Sequence, residues 1–370
     1  MGTKTDGRAV LHVVTDPRRR GSQAFAHDLD AALRDRGRPS AIVALAGAGE
    51  MDIPVLGPGR LHPRTLRALR RRAAGADVVI AHGSTTLDAC GIALAGTRTP
   101  FVYVNIGDPR HWARDALRRA RVGLMLRRAA AIASVSPSGR EILLRTYRLD
   151  PARVRAIPNG RRPERFTPAE VADRAKARAQ LGLPVDATVL AVVGALAAEK
   201  RVALAIEAFA LVAAPDPAGG RVPGYHLLVA GEGPERAALE GLAERRTPGL
   251  VTFTGNLADL GPVYRASDAL VLSSTSEGVP GVLVEAGMAA IPAAATDVGF
   301  VRDVVVDGLT GALADAGAGA GDPRALAAAI RRVLTHRDAM GRAARARCVE
   351  RHAMETVVDA WVALLDEQPR

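Results

Sequence analysis

Apolar residues come in short bursts along this chain, and longer amphipathic stretches separate them. Bursts of four to six apolar residues that end in small polar or glycine positions fit buried strands. In the first half the strand candidates are Val10–Thr15, Ser40–Leu45, Val78–Ala81, Phe101–Asn105 and Ala131–Val135. Stretches with helical spacing, such as Gln23–Arg36 and Pro63–Ala74, lie between them. The pattern pauses after Arg155–Pro158. Pro158, Pro163 and Pro168 punctuate a polar connection, Asn159 to Glu170, which reads as an interdomain linker. A second set of strands follows: Thr188–Val193, Tyr225–Ala230, Leu250–Thr254, Ala269–Leu272 and Ile291–Thr296. Helices over Ala203–Ala213, Glu235–Ala243 and Val282–Ala290 fall between those strands. The Ala/Gly run Ala312–Gly321 reads as a loop before a helix Pro323–Leu334, and Met354–Leu365 again has helical period. Strands that alternate with helices twice over predict an α/β protein of two doubly wound, Rossmann-like domains with parallel sheets. Residues 1–167 and 168–353 are the expected domains. Such folds bind ligands at the carboxyl ends of their strands, so a cleft between the two is the expected site.

Composition narrows the functional classes. The chain has 370 residues, enough for two cores, and 48% of them are hydrophobic. Aromatic residues make up only 3%, too few for base-stacking platforms. Cys90 and Cys348 are the only cysteines, which points to a reducing compartment rather than a disulfide framework. The start of the chain is polar and shows no signal peptide, and the longest apolar run, Val189 to Ala198, is too short to span a bilayer. A cytoplasmic location follows as the expectation.

The net charge of +11 is unevenly placed. Residues 1–167 hold 30 of the 50 Lys+Arg and 14 of the 39 Asp+Glu, so they carry +16 and the remainder −5. Arginine-rich helix faces at Arg64–Arg72 and Arg114–Arg128 suit either plain solvation or attraction to an anionic membrane surface or acidic acceptor. A peripheral position at the inner face of a membrane is therefore considered. No nucleic-acid module accompanies the charge, so no nucleic-acid partner is expected.

The chemistry concentrates in Ser276-Glu277-Gly278-Val279-Pro280-Gly281-Val282-Leu283-Val284-Glu285. A strand precedes it and a helix follows. A glycine turn at a helix N-terminus offers free amides and a positive dipole end to an anion. Glu277 and Glu285 flank that turn, so the arrangement suits a sugar nucleotide: amides for the diphosphate, carboxylates for hydroxyls. The turn Gly194-Ala195-Leu196-Ala197-Ala198-Glu199-Lys200 follows another strand. Lys200 is one of only three lysines in the chain, and a compact ammonium there can neutralise a diphosphate. Gly21 and Ser22 open a helix after the first strand. Asp28-Leu29-Asp30 lies within a helical stretch and is not read as a metal motif, and no His/Cys cluster has ligand spacing.

These segments resemble the retaining glycosyltransferases of family 4, and the resemblance extends over nearly the whole chain. Glu277 through Glu285 is similar to the family's E-x7-E signature, and Gly194 to Lys200 to its G-R-L-x-x-x-K motif with Ala195 in place of the arginine. Leu228–Pro234 is similar to its G-x-G-P element, and Ile157–Gly160 to its interdomain I-P-N-G. Thr296-Asp297-Val298-Gly299-Phe300 with Asp303 resembles T-x-x-G-G-x-x-E, and Arg20-Gly21-Ser22-Gln23 a Gly-Gly loop with one glycine kept. The resemblance implies the GT-B fold, with two Rossmann-like domains facing across a cleft and a C-terminal helix, 354–370, packing back on the first. It implies an N-terminal acceptor domain and a C-terminal nucleotide-sugar domain. The expected catalytic residues are Glu277, Lys200 and Asn105. Gly21, Ser22, Gly194, Lys200, Gly255, Asn256, Glu277, Gly281, Val282 and Glu285 are expected to bind the donor. Arg20, His82 and Asp108 are the acceptor-side candidates, and Arg19 or Arg20 could supply the charge missing at Ala195. The implied reaction moves a sugar from a nucleotide-diphosphate sugar to a glycan, lipid or small-molecule hydroxyl, without metal or cofactor. Ala195 and the single-glycine loop keep two alternatives open: a non-catalytic sugar-nucleotide-binding protein, or another GT-B enzyme such as an epimerase.

Overall fold

The computed structural model describes residues 8–18, 21–112, 115–214, 224–314 and 321–368. It divides into two compact units, one of residues 1–161 with 351–370 and one of residues 162–350.

The first unit holds one six-stranded sheet. Its strands are β1 (Val10–Val14), β2 (Ser40–Ala44), β3 (Val78–His82), β4 (Phe101–Asn105), β5 (Ala131–Ser134) and β6 (Val154–Ala156). They lie in the order β2-β1-β3-β4-β5-β6, and every neighbouring pair is parallel. Helices α1 (Gly21–Asp35), α2 (Pro63–Ala73), α3 (Ser84–Ala93), α4 (Ala116–Arg128) and α5 (Pro137–Tyr147) make the crossovers. β1, β3 and β4 are buried along their whole length, as strands covered on both faces must be.

The second unit repeats the plan with β7 (Thr188–Val193), β8 (Tyr225–Ala230), β9 (Val251–Gly255), β10 (Ala269–Leu272), β11 (Ala293–Thr296) and β12 (Gly311–Ala314). Their order is β12-β11-β10-β7-β8-β9, again parallel throughout. Its helices are α6 (Val171–Gln180), α7 (Val202–Ala213), α8 (Arg236–Arg246), α9 (Gly261–Ala266), α10 (Gly281–Met288), α11 (Val301–Val304), α12 (Pro323–Thr335) and most of α13 (Arg337–His352). One apolar core lies on each face of this sheet. The last helix, α14 (Met354–Asp366), belongs to the first unit. It buries Val357, Val358, Trp361 and Leu365, and Arg36 and Arg38 of that unit pair with Asp359 and Asp366 at 2.8 and 2.7 Å.

Each sheet reverses its order beside its first strand, between β1 and β3 and between β7 and β10. Crossovers leave in opposite directions there, which opens a crevice at the strand carboxyl ends. Two strands were not expected from the sequence. β6 is three residues long and carries two exposed positions, so it has no apolar burst. β12 begins the Ala/Gly run read as a loop. Alanine is a weak strand former, and this edge strand is held by its pairing with β11, where a side chain at Gly311 would strike the Ala293 carbonyl.

Candidate functional site

In the second unit the expected donor residues gather at the β7/β10 reversal. Lys200, in the turn after β7, places Nζ 2.6 Å from Glu277 Oε1. The Ser274 hydroxyl donates to the same oxygen at 2.6 Å. Three bonds lash the two turns together. Thr275 N donates to the Glu199 carbonyl (2.8 Å), Ser273 Oγ to the Lys200 carbonyl (2.9 Å), and Arg201 Nε to the Ser273 carbonyl (3.0 Å). The Glu277 side chain is 10% exposed and that of Lys200 30%, so the pair is shielded from most water while the ammonium stays reachable. The Thr296 hydroxyl donates to the Ser274 carbonyl at 2.8 Å and ties in the turn after β11.

Glycines let these turns touch. Gly299 has φ +54, and a Cβ there would overlap the main-chain carbonyl of Glu277. Gly231 has φ +151 and stands equally close to the Gly194 carbonyl. Only glycine fits both the dihedral and the approach.

α10 starts at Gly281 behind Pro280, and no side chain caps it. Gly281 and Val282 are half-buried, with first-turn amides of the kind that binds anions. Glu285 lies one turn further on. Tyr264, buried on α9, donates its hydroxyl to Glu285 Oε2 at 2.9 Å, and Phe166 packs edge-on against the tyrosine ring at 5.8 Å. The carboxylate is thereby aimed rather than left to rotate. Gly255 ends β9 with φ +72 against Glu232, and Asn256 beside it is exposed. Ala195 is exposed and supplies no charge.

Of the first-unit candidates, Ser22 and His82 line a recess of about 280 Å³ at the β1/β3 reversal. Thr15, Asp16, Ser22, His82, Ser84 and Gly107 are among its lining residues. Asp16 is buried and held by Arg18 at 2.5 Å and by Gln23 Nε2 at 3.3 Å. Gly21 is exposed at the start of α1, and Ser22 Oγ donates to Gln23 Oε1 at 2.6 Å. His82 ends β3 and its ring nitrogen Nε2 meets His12 Nδ1 at 3.0 Å. Burial pushes His12 down to about 4, and burial with His12 alongside pushes His82 well below the ordinary histidine value, so both rings are neutral.

Two of the expected residues are deeply buried. Asn105 has no exposed surface; its Nδ2 donates to Ser134 Oγ at 3.4 Å. Its Oδ1 has no partner. Asp108 is also buried, and Arg110 engages both its oxygens at 2.5 to 3.0 Å. That bond raises the arginine pKa further. Arg19 and Arg20 lie outside the described residues. Asp30 of the Asp28-Leu29-Asp30 stretch is buried on α1 and bound to Arg34 at 2.7 Å. No cluster of three or more His, Cys, Asp or Glu that could hold a metal occurs among the described residues. Ser274, Tyr264, Gly299 and His12 are the partners that sequence reading missed. Tyr264 and His12 stand 21 and 70 residues from Glu285 and His82, and Ser274, although only three residues from Glu277, reads as a strand-end serine.

Residues 173–351 match the family model described as glycosyl transferases group 1. Residues 19–165 match the model described as Glycosyltransferase Family 4. The two parts of the chain thus each match a glycosyltransferase family model. A D-inositol 3-phosphate glycosyltransferase of Geodermatophilus obscurus is 36% identical over 248 residues, 63% of this chain and 51% of that protein. One from Stackebrandtia nassauensis is 33% identical over 192 residues, 50% of this chain and 42% of that protein. The chain thus spans about half the length of the curated relatives it matches. Among solved structures, Anabaena HepE in complex with UDP and glucose superposes with a TM-score of 0.81 at 20% identity, covering 97% of this chain and 100% of that one. A sucrose-phosphate synthase from Thermosynechococcus elongatus gives 0.80 at 21%, covering 97% and 98%. At these identities the likeness is one of fold, and that fold is GT-B. Among the described residues no helix is long and apolar enough to cross a membrane.

Proposed function

We propose that this protein is a retaining glycosyltransferase that moves a sugar from a nucleotide-diphosphate sugar to an acceptor hydroxyl. The observation that carries the reading is the group of turns after β7, β10 and β11 in the second unit. An ammonium, two carboxylates and an uncapped helix start converge there, and Tyr264, Ser274 and Gly299 hold the two acids in place. The diphosphate would rest on the Gly281 and Val282 amides, with Lys200 against its charge. Glu285 would take the ribose diol and Glu277 the hydroxyls of the sugar. Lys200 and the amides stabilise the charge that grows on the leaving diphosphate, and the departing phosphate oxygen takes the acceptor proton as the acceptor oxygen attacks from the same face. No step needs a metal. The UDP and UDP-glucose bound by Anabaena HepE support a uridine donor, and the relatives' name supports a small phosphorylated polyol among the acceptors to be tried. The basic first unit is proposed as the acceptor side, with an anionic membrane surface as a further candidate partner.

Thermal-shift assays with UDP-, GDP- and ADP-sugars test the donor half, since a ligand that binds only the folded state raises its stability. Transfer to acceptors, followed by analysis of the anomeric configuration of the product, tests the rest. A second reading, a binding protein without turnover, draws on exposed Ala195, where the family carries an arginine. Donor hydrolysis or transfer that vanishes in Glu277→Ala supports the enzyme. Binding without any turnover supports the second reading.

A further inference from the structure

Arg201 is one of three non-glycine residues with a positive φ among the described residues. It stands at φ +45 and ψ +48, between the turn Ala198–Lys200 and the start of α7, and its side chain does not cap that helix. In this left-handed conformation a Cβ crowds the following carbonyl, so an arginine adopts it only where its surroundings impose it. The same residue carries a second unfavourable feature. Its Nη2 is buried and has no hydrogen-bond partner. The guanidinium end lies so close to Gly321 that an added Cβ there would come within 2.9 Å of Nη2. An unpartnered N–H on a charged group is costlier than a neutral one. Both burdens fall on the residue next to Lys200.

Strain of this kind persists where the structure around it over-determines it. Here two side chains do so by crossing. Arg201 Nε donates to the Ser273 carbonyl at 3.0 Å, and Ser273 Oγ donates back to the Lys200 carbonyl at 2.9 Å. Each side chain therefore holds the main chain of the other turn, and the peptide between Lys200 and Arg201 is gripped from both sides. Ser273 is 2% exposed, so water does not replace either bond. Thr275 N donates to the Glu199 carbonyl at 2.8 Å beside this latch, which sets the spacing of the turns but not the dihedral at residue 201. A relaxed φ at residue 201 would rotate the preceding turn about the start of α7. Lys200 would move with it, away from the position where Nζ meets Glu277 Oε1 at 2.6 Å.

We propose that Arg201 is a positioning residue for Lys200: crossed with Ser273, its side chain locks the left-handed turn at residue 201 and so fixes where the Lys200 ammonium stands beside Glu277. The proposal rests on the glycosyltransferase reading for what that ammonium does to a diphosphate. It goes beyond that reading in joining Arg201 and Ser273 into one unit and in giving the backbone strain a purpose.

Proton exchange at the lysine ammonium groups tests it without any ligand. The chain has three lysines, so nitrogen-15 labelling yields three side-chain signals, and Lys200→Met assigns the one in question. In the full wild-type chain the Lys200 ammonium, bound to Glu277, should exchange more slowly than the other two; equally free exchange overturns the proposal. Arg201→Gly suits the dihedral and removes the clamp, and it should speed that exchange by about tenfold, the scale of one lost hydrogen bond. Ser273→Ala should do the same. The double variant should exchange no faster than either single one, because each change opens the same latch. Unchanged exchange in Arg201→Gly, or effects that simply add in the double variant, overturns the proposal. Turnover of UDP-glucose by the same variants gives a second readout: kcat should fall by about tenfold with KM within about twofold. A lower Tm with unchanged kcat makes Arg201 a purely structural residue and overturns its positioning role. The glycosyltransferase reading falls separately, if no nucleotide sugar raises the melting temperature of the wild type, and the exchange measurement remains decisive in that case.

Discussion

Gly299→Ala should damage donor binding through a residue that itself has no functional group. Gly299 stands at φ +54, and a Cβ there overlaps the Glu277 carbonyl. The left-handed conformation costs an alanine about 1 kcal/mol. The overlap adds a comparable or larger amount, about 2 kcal/mol, because a main-chain carbonyl cannot rotate away as a side chain can. Gly182→Ala is the control, since Gly182 has φ +67 in the same unit and a Cβ there meets nothing within 4 Å. For a unit of this size 1 kcal/mol moves Tm by about 3 °C, so the control should fall by about 3 °C and Gly299→Ala by about 9 °C. The affinities should part as well. Displacing the Glu277 backbone misaims its carboxylate, and loss of one aimed hydrogen bond weakens UDP-glucose binding by about tenfold. Calorimetric melting and titration of both variants give the two numbers. Equal Tm values for the two variants, or wild-type donor affinity in Gly299→Ala, would refute the claim that the turn after β11 sets the position of Glu277.

Other outcomes follow from the same geometry. Lys200→Met should lower kcat by about a hundredfold or more, the scale of one lost transition-state charge contact, with little change in Tm; near wild-type kcat would remove Lys200 from the chemistry. His12 is held neutral, with its pKa lowered from 6.5 to about 4, so its contribution to stability is complete above pH 6.5 and drains away as pH falls towards 4. The loss is on the order of 3 kcal/mol. Urea unfolding at pH 7 and pH 4.5 should show it, and His12→Leu should flatten the slope; an equal slope in the variant places the acid sensitivity elsewhere. Burial pushes the Cys90 and Cys348 thiols up to about 12, so both should resist a thiol reagent at pH 8 until the chain unfolds. Prompt labelling of native protein would contradict their burial.

Much of the fold was legible because parallel strands covered on both faces leave unbroken apolar bursts, such as Phe101–Asn105 and Ala269–Leu272. Strand β6, with two exposed positions, and β12, rich in Ala and Gly, lacked that signal. The site was legible where one turn contains its own chemistry, as between Glu277 and Glu285. It was not legible where function depends on contacts between turns. Ser274 is close to Glu277 in sequence but looks like a strand-end serine. Tyr264 reaches Glu285 across 21 residues and His12 meets His82 across 70. Asn105 and Asp108 carried polar groups at strand ends, and nothing in the apolar pattern showed that both would be buried, one beside Ser134 and the other on Arg110.

A crystal of the protein soaked with UDP-glucose is the most direct check on the account. The β-phosphate should lie on the Gly281 and Val282 amides with Lys200 Nζ against it, Glu285 on the ribose diol and Glu277 on the glucose hydroxyls. Nucleotide density in any other place, with the Glu277–Glu285 turn untouched, would contradict it.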